Sequence, residues 1–141
     1  MKIVVGDKNL GNAQAIAKTM NDAGFDVTPV ETDISSRDSI LDLIAEGQKY
    51  GEIAMLVNAA GVSPSQAPIE AILKVDLYGT AVLLEEVGKV IKPDGVGVTI
   101  SSQSGWRMPA LTAEQDAQLA TAPAEELLSL DFLRPENIRD T

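Results

Sequence analysis

IAMLVNAAG, at residues 53–61, joins a run of five apolar residues to a cluster of small and polar ones. A second segment of the same design, VGVTISSQSG, lies at residues 96–105. An apolar run without alternation is typical of a strand that is buried on both faces of a parallel sheet. Open α/β sheets place their ligand sites at the carboxyl ends of such strands. The two segments therefore predict two strands of an α/β sheet, each ending at a candidate site.

Strands and helices are predicted to alternate outward from these segments. The predicted strands cover residues 2–5, 27–30, 53–57 and 96–100. Amphipathic helices follow the first and second strands, and a long helix over residues 69–91 follows the third. This alternation indicates a parallel sheet with right-handed crossovers. We therefore predict an α/β fold: a three-layer, Rossmann-like doubly wound sheet of about four strands in the order 2-1-3-4, with a short helical C-terminal tail.

The chain is predicted to consist of a core over residues 1–105 and a tail over residues 106–141. The tail carries seven acidic and three basic residues. Thr112 and Gln115 have the spacing of a capping box, and Pro123 and Pro135 stand where short helices begin. We expect the tail to form short helices and loops with an acidic surface.

Composition narrows the classes of function. The formal net charge is −10, which argues against a surface for nucleic acid or anionic membranes. No apolar run approaches the length of a membrane span. The sequence contains neither cysteine nor histidine, so no metal site is predicted, and catalysis would need Ser, Tyr, Lys, carboxylates or a bound cofactor. These features indicate an acidic, soluble, cytoplasmic protein.

Four segments resemble the short-chain dehydrogenase/reductase family. NAAG at residues 58–61 is similar to the Asn-Ala-Gly motif that follows the family's fourth strand. The Ser-Ser pair at residues 101–102 is similar to the end of the strand that carries the family's catalytic Ser. VDLYGT at residues 75–80 resembles the family's long helix. The Asp-Ile pair at residues 33–34 resembles the pair that contacts the adenine ring in the family. Residues 102–141 resemble a hydroxysteroid-dehydrogenase-like branch. The resemblance implies an NAD(P)-binding core and reversible hydride transfer between NAD(P) and an alcohol or ketone.

The resemblance also implies roles for individual residues. Ser102 would hold the substrate oxygen. The cofactor's adenosine and ribose would be lined by Asp7, Asp33, Asn58, Ala59, Ala60 and Gly61. Purely structural roles stay open for three of these residues, because Asn stabilises strand exits by local hydrogen bonds, Ser commonly caps turns, and Asp7 suits a loop or helix cap.

Asp76 is a carboxylate among apolar positions of the predicted long helix. It falls on a helical stripe with Leu73, Thr80 and Leu83. A carboxylate in such a position must find a donor or remain protonated. Asp76 lies where the family's helix carries its catalytic Asn, so it is a candidate remnant of that position.

The start of the chain departs from the family pattern. Full members open with a strand and a glycine-rich loop, whereas GDKNLG at residues 6–11 keeps only two glycines. The loop is either a degenerate phosphate loop, or residues 2–6 are the family's second strand and Asp7 its ribose-binding acid. We favour the second interpretation, in which the first strand and its loop are missing. Asp7 would then favour NAD over NADP by repelling a 2′-phosphate.

A second departure concerns the catalytic Tyr-x-x-x-Lys of the family. Tyr50 is followed four residues on by Ala54, and Tyr78 by Val82, so the motif is absent from this sequence. We therefore expect a truncated oxidoreductase that is inactive as an isolated chain, and leave open whether it is an enzyme and whether it binds the cofactor. The alternative is a non-catalytic nucleotide-binding or protein-interaction module. By the resemblance, a homodimer would form through the helix at 69–91.

Overall fold

In the computed structural model, which describes residues 1–138, strands and helices alternate as the sequence predicts. The strands are β1 (Lys2–Asp7), β2 (Asp26–Glu31), β3 (Ile53–Asn58) and β4 (Ile91–Thr99). The helices are α1 (Leu10–Asp22), α2 (Arg37–Gln48), α3 (Ile69–Ile72), α4 (Thr80–Gly88), α5 (Ser104–Arg107) and α6 (Ala113–Thr121). A π-helical segment, Leu73–Gly79, joins α3 to α4, and short 3₁₀ helices follow α6 at Ala124–Ser129, Asp131–Leu133 and Pro135–Asn137. None of the described helices is both long and apolar enough to cross a membrane.

The strands pair in parallel, which confirms the α/β class. β1 pairs with β2 from Lys2 opposite Asp26 to Asp7 opposite Glu31. β3 pairs with β4, ending with Asn58 opposite Thr99. The predicted order 2-1-3-4 requires one correction: within residues 1–138, β1 and β3 do not pair, so the strands form two sheets of two. Helix α2 packs against both β1 and β3 and holds the two sheets beside each other.

The long helix ends earlier than predicted, and β4 begins earlier. Helix α4 ends at Gly88 rather than at residue 91, because Ile91 pairs with Ile53 as the first residue of β4. The Pro-Asp-Gly sequence at residues 93–95, which precedes the predicted strand at 96–100, lies inside β4 as an irregularity in the pairing. Asp94 has a φ of 64°, a left-handed conformation that suits such a local bend.

The π-helical segment packs closely against the chain that follows β2. Gly79, its last residue, is buried. A Cβ atom added there would lie 2.6 Å from the carbonyl oxygen of Ile34, closer than side-chain carbons approach backbone. Glycine is therefore required at this crossing, because only its missing side chain lets the helix and the backbone of Ile34 come together.

The hydrophobic core lies between α2, α4, β3 and the tail. Its buried members are Ile34, Ile40, Ile44, Val82, Leu83, Val87 and Ala124. Leu56 of β3 packs against this cluster, but Met55 and Val57, which point to the opposite face, are 53% and 61% exposed. The prediction that β3 is buried on both faces is therefore wrong, because the described elements cover only one face of the β3–β4 sheet.

The tail is fastened to the core by apolar and charged contacts. Ala124 and Leu127 of the first 3₁₀ helix are buried. The carboxylate of Glu125 accepts hydrogen bonds from Arg37 Nε at 2.7 Å and from the Tyr78 hydroxyl at 3.0 Å. The Arg37 guanidinium, and next the Tyr78 hydroxyl, hold the pKa of Glu125 below its ordinary value. The tail therefore loses an attachment when Glu125 is protonated.

We expect Glu125→Gln to weaken the acid sensitivity of folding. A carboxyl whose pKa is lower in the folded than in the unfolded chain stabilises the fold above the unfolded pKa, and this contribution is lost as the pH falls through the folded pKa. The melting temperature of the natural chain should therefore drop between about pH 5 and about pH 3, and less steeply in the variant. Glu126→Gln is the matched control, because Glu126 forms no ion pair in the described part of the chain. Equal slopes for all three proteins would contradict the role of Glu125.

Candidate functional site

The carboxyl ends of β3 and β4 bring two predicted motifs to one edge. Asn58, the last residue of β3, lies opposite Thr99, the last residue of β4. The Ile100 N–H donates to the Asn58 carbonyl oxygen at 2.8 Å, which extends the pairing one step beyond the strands. Residues 59–61 and Ser102 therefore leave the sheet from neighbouring strands in the same direction, as the sequence predicts.

Asn58 is buried and its side chain is satisfied inside the chain. It is 3% exposed. Its amide Nδ2 donates to Thr80 Oγ1 at 3.2 Å, and its Oδ1 accepts from the Ala60 N–H at 3.3 Å. The structural role that the sequence left open for Asn58 is thus present, because the side chain ties the strand exit to the start of α4. Thr80 is the partner that sequence reasoning missed, although a hydroxyl on a buried helical stripe is a signal that a partner is needed.

Asp76 in the π-helical segment holds the loop after β3. Its Oδ1 accepts from the Val62 N–H at 2.9 Å, and a Cβ added at Gly61 would lie 3.4 Å from the same oxygen. The donor that the sequence required for this carboxylate is therefore a backbone amide of the candidate site. Asp76 itself is exposed rather than buried in the apolar stripe, because it faces the loop instead of the core.

Ser102 lies at the start of a short helix beside an open cleft. Its Oγ accepts from the Ser104 N–H at 3.0 Å, which is the geometry of a local cap. The cleft measures about 380 Å³ and is lined by Pro64, Ser104, Arg107, Met108 and Pro109. Pro64 comes from the loop after β3, and the other four residues come from α5 and the residues just after it. Ser102 is exposed, so its hydroxyl is accessible from solvent next to this cleft.

The two predicted acids lie at the carboxyl ends of the other sheet. Asp7 ends β1, and its carboxylate accepts from the Asn9 N–H at 2.7 Å. Asp33 follows β2, accepts from the Ser35 hydroxyl at 2.6 Å and pairs with Lys8 Nζ at 2.9 Å. The Ser35 hydroxyl, and next Lys8, lower the pKa of Asp33. Asp33 is therefore a carboxylate at neutral pH, and Lys8 joins it to the loop that carries Asp7.

The π-helical segment is the physical link between the two halves of the candidate site. At one end Asp76 contacts the loop after β3, and at the other Gly79 contacts Ile34, the neighbour of Asp33. Within residues 1–138, no hydrogen bond or ion pair joins Asp7 or Asp33 directly to Asn58 or Ser102. The described residues also bring no three acidic side chains together as a metal site.

The residues fit the nucleoside part of NAD(P) better than its pyrophosphate. Asp7 and Asp33 offer carboxylate oxygens that could accept from ribose hydroxyls. A pyrophosphate needs backbone N–H groups that it can approach closely at a helix start. Here the amides of Asn12 and Ala13 in the first turn of α1 already donate to Asn9, so within residues 1–138 only those of Leu10 and Gly11 are left at this helix start. A Cβ added at Gly6 would meet Thr32 Oγ1 at 2.7 Å, so this glycine serves packing rather than phosphate approach. The described residues therefore do not form a complete phosphate cradle.

Two curated dehydrogenases are similar to this chain in sequence. The chain is 33% identical over 134 residues to the short-chain dehydrogenase/reductase bsc3 of Alternaria brassicicola, covering 94% of this chain and 49% of that protein. It is 25% identical to a 3beta-hydroxysteroid dehydrogenase of Mediterraneibacter gnavus, covering 92% of this chain and 51% of that protein. The chain thus spans about half the length of these curated relatives.

A solved structure supports the same fold, and a family model supports the same family. A short-chain dehydrogenase/reductase from Brucella melitensis superposes with a TM-score of 0.67 at 21% identity, over 83% of this chain and 52% of that one. At this identity, the likeness shows the fold alone. The family model described as short chain dehydrogenase matches residues 1–114, most of the sequence. The chain therefore belongs to the short-chain dehydrogenase family.

Proposed function

We propose that this chain is part of an NAD(P)-dependent oxidoreductase that transfers hydride between the cofactor and an alcohol or ketone. The observation that carries the proposal is the placement of Asn58 and Ser102 at the ends of paired strands, in a member of a family that generally uses NAD(P). In this scheme Ser102 holds the substrate oxygen beside the cleft. Asn58, with Ala59, Ala60 and Gly61, shapes the ribose side.

We further propose that residues 1–141 alone do not turn over substrate at a normal rate. Hydride transfer to or from an alcohol carbon needs a group that moves a proton at the oxygen. The family's Tyr-x-x-x-Lys would do this, and it does not occur in this sequence. Ser102 has no histidine, lysine or tyrosine among its hydrogen-bond partners in residues 1–138, so it cannot replace that pair. The chain thus supplies part of a site.

We propose NAD as the preferred cofactor and a secondary alcohol of the hydroxysteroid class as the substrate. Asp7 stands at the end of β1, where its negative charge would repel a 2′-phosphate but accept from a 2′-hydroxyl. The substrate class is supported by the likeness to the M. gnavus 3beta-hydroxysteroid dehydrogenase. We also propose a cytoplasmic location, and the net charge of −10 argues against binding to nucleic acid or to an anionic membrane.

A calorimetric titration with NAD and with NADP tests this proposal. We expect weak, saturable binding of NAD, weaker binding of NADP and no reduction of the cofactor by added alcohols. Asp7→Asn should reduce the difference in binding affinity between NAD and NADP, because the variant no longer repels the 2′-phosphate of NADP. Asp22→Asn is the matched control, since Asp22 pairs with Lys18 on the exposed surface of α1. Absence of binding at millimolar NAD and NADP would overturn the cofactor assignment.

A second candidate function is a non-catalytic module that presents a partner surface. The observation that favours it is the uncovered apolar face of the β3–β4 sheet, where Met55, Val57, Val96 and Val98 are each at least half exposed. Joining a segment with the Tyr-x-x-x-Lys motif to the chain separates the two candidates. Activity gained by this addition supports the oxidoreductase, whereas a stable but inactive product supports the module.

We also propose a homodimer that forms through the outer face of α4, the last part of the long helix. Val82, Leu83 and Val87 already pack inside the chain, so a second copy would meet the outer face of α4, where Leu84 is 47% exposed. The molar mass of the chain in solution tests the proposal directly.

A further inference from the structure

Asp94 and Gly95 of β4 form the only Asp-Gly pair in the sequence, which contains no Asn-Gly pair. The side-chain carboxyl of an aspartate reacts most readily with the next backbone nitrogen when glycine follows, because glycine has no side chain to hinder the approach. The product of this attack is a five-membered cyclic imide, a succinimide. The sequence therefore places this chemistry inside β4.

Asp94 lies in an exposed bend, and no partner holds its carboxyl group. Its φ of 64° is the only positive φ of a residue other than glycine within residues 1–138. Aspartate adopts this left-handed conformation more often than most residues do. Asp94 is exposed, and its side chain forms no hydrogen bond or ion pair within the same range. Its carboxyl carbon is therefore accessible both to solvent and to the backbone that follows.

The bend also lies outside the regular pairing of β4 with β3. Ile91 pairs with Ile53, and the next pair along β4 is Val96 with Met55. Residues 92–95 thus lie opposite a single residue of β3, as in a β-bulge, where the extra residues are left unpaired. Because these residues do not align the two strands, their backbone can rotate to close the imide ring without separating β3 from β4.

The packing of the bend requires glycine at the reactive position. A Cβ added at Gly95 would lie 2.5 Å from Ile91 Cγ1 and 2.9 Å from the carbonyl oxygen of Lys92. The second of these atoms belongs to backbone, so a larger residue would force the bend to change shape. The same geometry that shapes the start of β4 therefore keeps an unhindered nitrogen next to the Asp94 carboxyl.

Other aspartates that precede small residues are protected by helix geometry. The N–H of Ser39, which follows Asp38, donates to Ser36 Oγ at 3.3 Å at the start of α2. The N–H that follows Asp22 donates to the Met20 carbonyl oxygen at 3.1 Å at the end of α1. These nitrogens are held in hydrogen bonds of a helix end, and ring closure would have to break them.

We propose that Asp94 is a modification site, at which the folded chain isomerises spontaneously to isoaspartate through a succinimide shared with Gly95. The inference rests on the bend in β4 alone, so it holds whether or not the chain binds NAD(P).

The reaction needs only water. The backbone nitrogen of Gly95 attacks the protonated side-chain carboxyl of Asp94, a C–N bond forms, and one carboxyl oxygen leaves as water with the proton of the nitrogen. A water molecule then opens the imide. Attack at the side-chain carbonyl restores aspartate, whereas attack at the main-chain carbonyl breaks the original peptide bond and leaves isoaspartate. One water is released and one is consumed, and no atom is oxidised or reduced.

The product changes the bend and spares the paired part of β4. Isoaspartate lengthens the main chain by one carbon between Pro93 and Gly95, and its carboxylate stands directly on Cα. The unpaired residues 92–95 can absorb this length, because bulges accommodate extra backbone. The pairing that ends with Asn58 opposite Thr99 should therefore persist in the modified chain.

Incubation of the folded chain in oxygen-18 water over weeks, followed by trypsin digestion and mass spectrometry, tests the proposal. Trypsin releases residues 90–107 as one peptide with Asp94 as its only aspartate, because Lys92 precedes proline. We expect a second chromatographic form of this peptide that carries one oxygen-18 atom and accepts a methyl group from S-adenosylmethionine through an isoaspartyl carboxyl methyltransferase. Its rate of formation should lie within about tenfold of that in the free peptide, because opening an unpaired stretch costs little free energy.

Two controls make each outcome decisive. Asp94→Glu keeps the charge but would need a six-membered ring, so it should give no second form. The peptide of residues 38–49, which contains Asp38, should stay unlabelled in the same sample. Formation much slower in the folded chain than in the free peptide would mean that the fold protects Asp94, and overturns the proposal. Equal labelling of residues 38–49 would show that the bend confers no selectivity, and overturns it as well.

Discussion

Replacing Gly79 by alanine is expected to destabilise the chain by about 3 kcal/mol, at the upper end of the cost of overpacking. The added Cβ would lie 2.6 Å from the Ile34 carbonyl oxygen and 3.0 Å from Ile34 Cγ1. The nearest atom belongs to backbone and cannot rotate away, so the π-helical segment must move from the chain after β2. This loss exceeds the gain of up to about 1 kcal/mol that alanine brings to a helix. Urea unfolding of both proteins, monitored by circular dichroism, measures the difference.

Gly88→Ala provides the matched control on the same long helix. Gly88 has no other heavy atom within 4 Å of an added Cβ among the described residues. The change should therefore leave the unfolding free energy unchanged or raise it by up to about 1 kcal/mol. If Gly79→Ala and Gly88→Ala were equally stable, the close packing of the helix on Ile34 would be wrong.

The sequence predicts the strands and their pairing with near neighbours. It does not predict whether the two pairs of strands join into one sheet. Apolar runs such as residues 53–57 mark strands because side-chain burial follows local sequence. Whether β1 meets β3 depends on what lies between them, and residues 1–138 provide no strand there. The sequence predicted burial of both faces of β3 from its composition. That composition is suited to a covered sheet, and the described elements cover only one face.

The candidate site shows the same division between local and long-range information. The positions of Asn58 and Ser102 at strand ends follow from short segments and were predicted correctly. Their partners were not, because Thr80 is 22 residues from Asn58 along the chain. Arg37 and Glu125 are 88 residues apart, and their contact depends on how the tail returns to α2. Sequence patterns report that a buried polar group needs a partner, but not which one.

Ile40→Ala is expected to have the largest effect on stability. Ile40 is fully buried, and with Val82 it is one of the two largest side chains that are completely enclosed. Truncation of a buried isoleucine to alanine costs about 2–5 kcal/mol, through lost transfer free energy and the cavity left behind. A domain of this size has roughly 5–15 kcal/mol of stability, so the variant should lie close to unfolding. Its urea midpoint should fall sharply while the slope with denaturant stays the same.

Ile40 lies on α2, the helix between the two sheets, so its truncation has a second expected consequence. Helix α2 contacts both β1 and β3, so a cavity at Ile40 loosens the support of both sheets and speeds amide exchange in both. Leu41→Ala is the matched control, because Leu41 is the next residue of α2 and is 41% exposed. It should cost less than about 1 kcal/mol, since its side chain is only partly removed from water. A similar loss of unfolding free energy for Ile40→Ala and Leu41→Ala would show that α2 does not pack through the face that carries Ile40. In that case α2 would not be the element that holds the two sheets together.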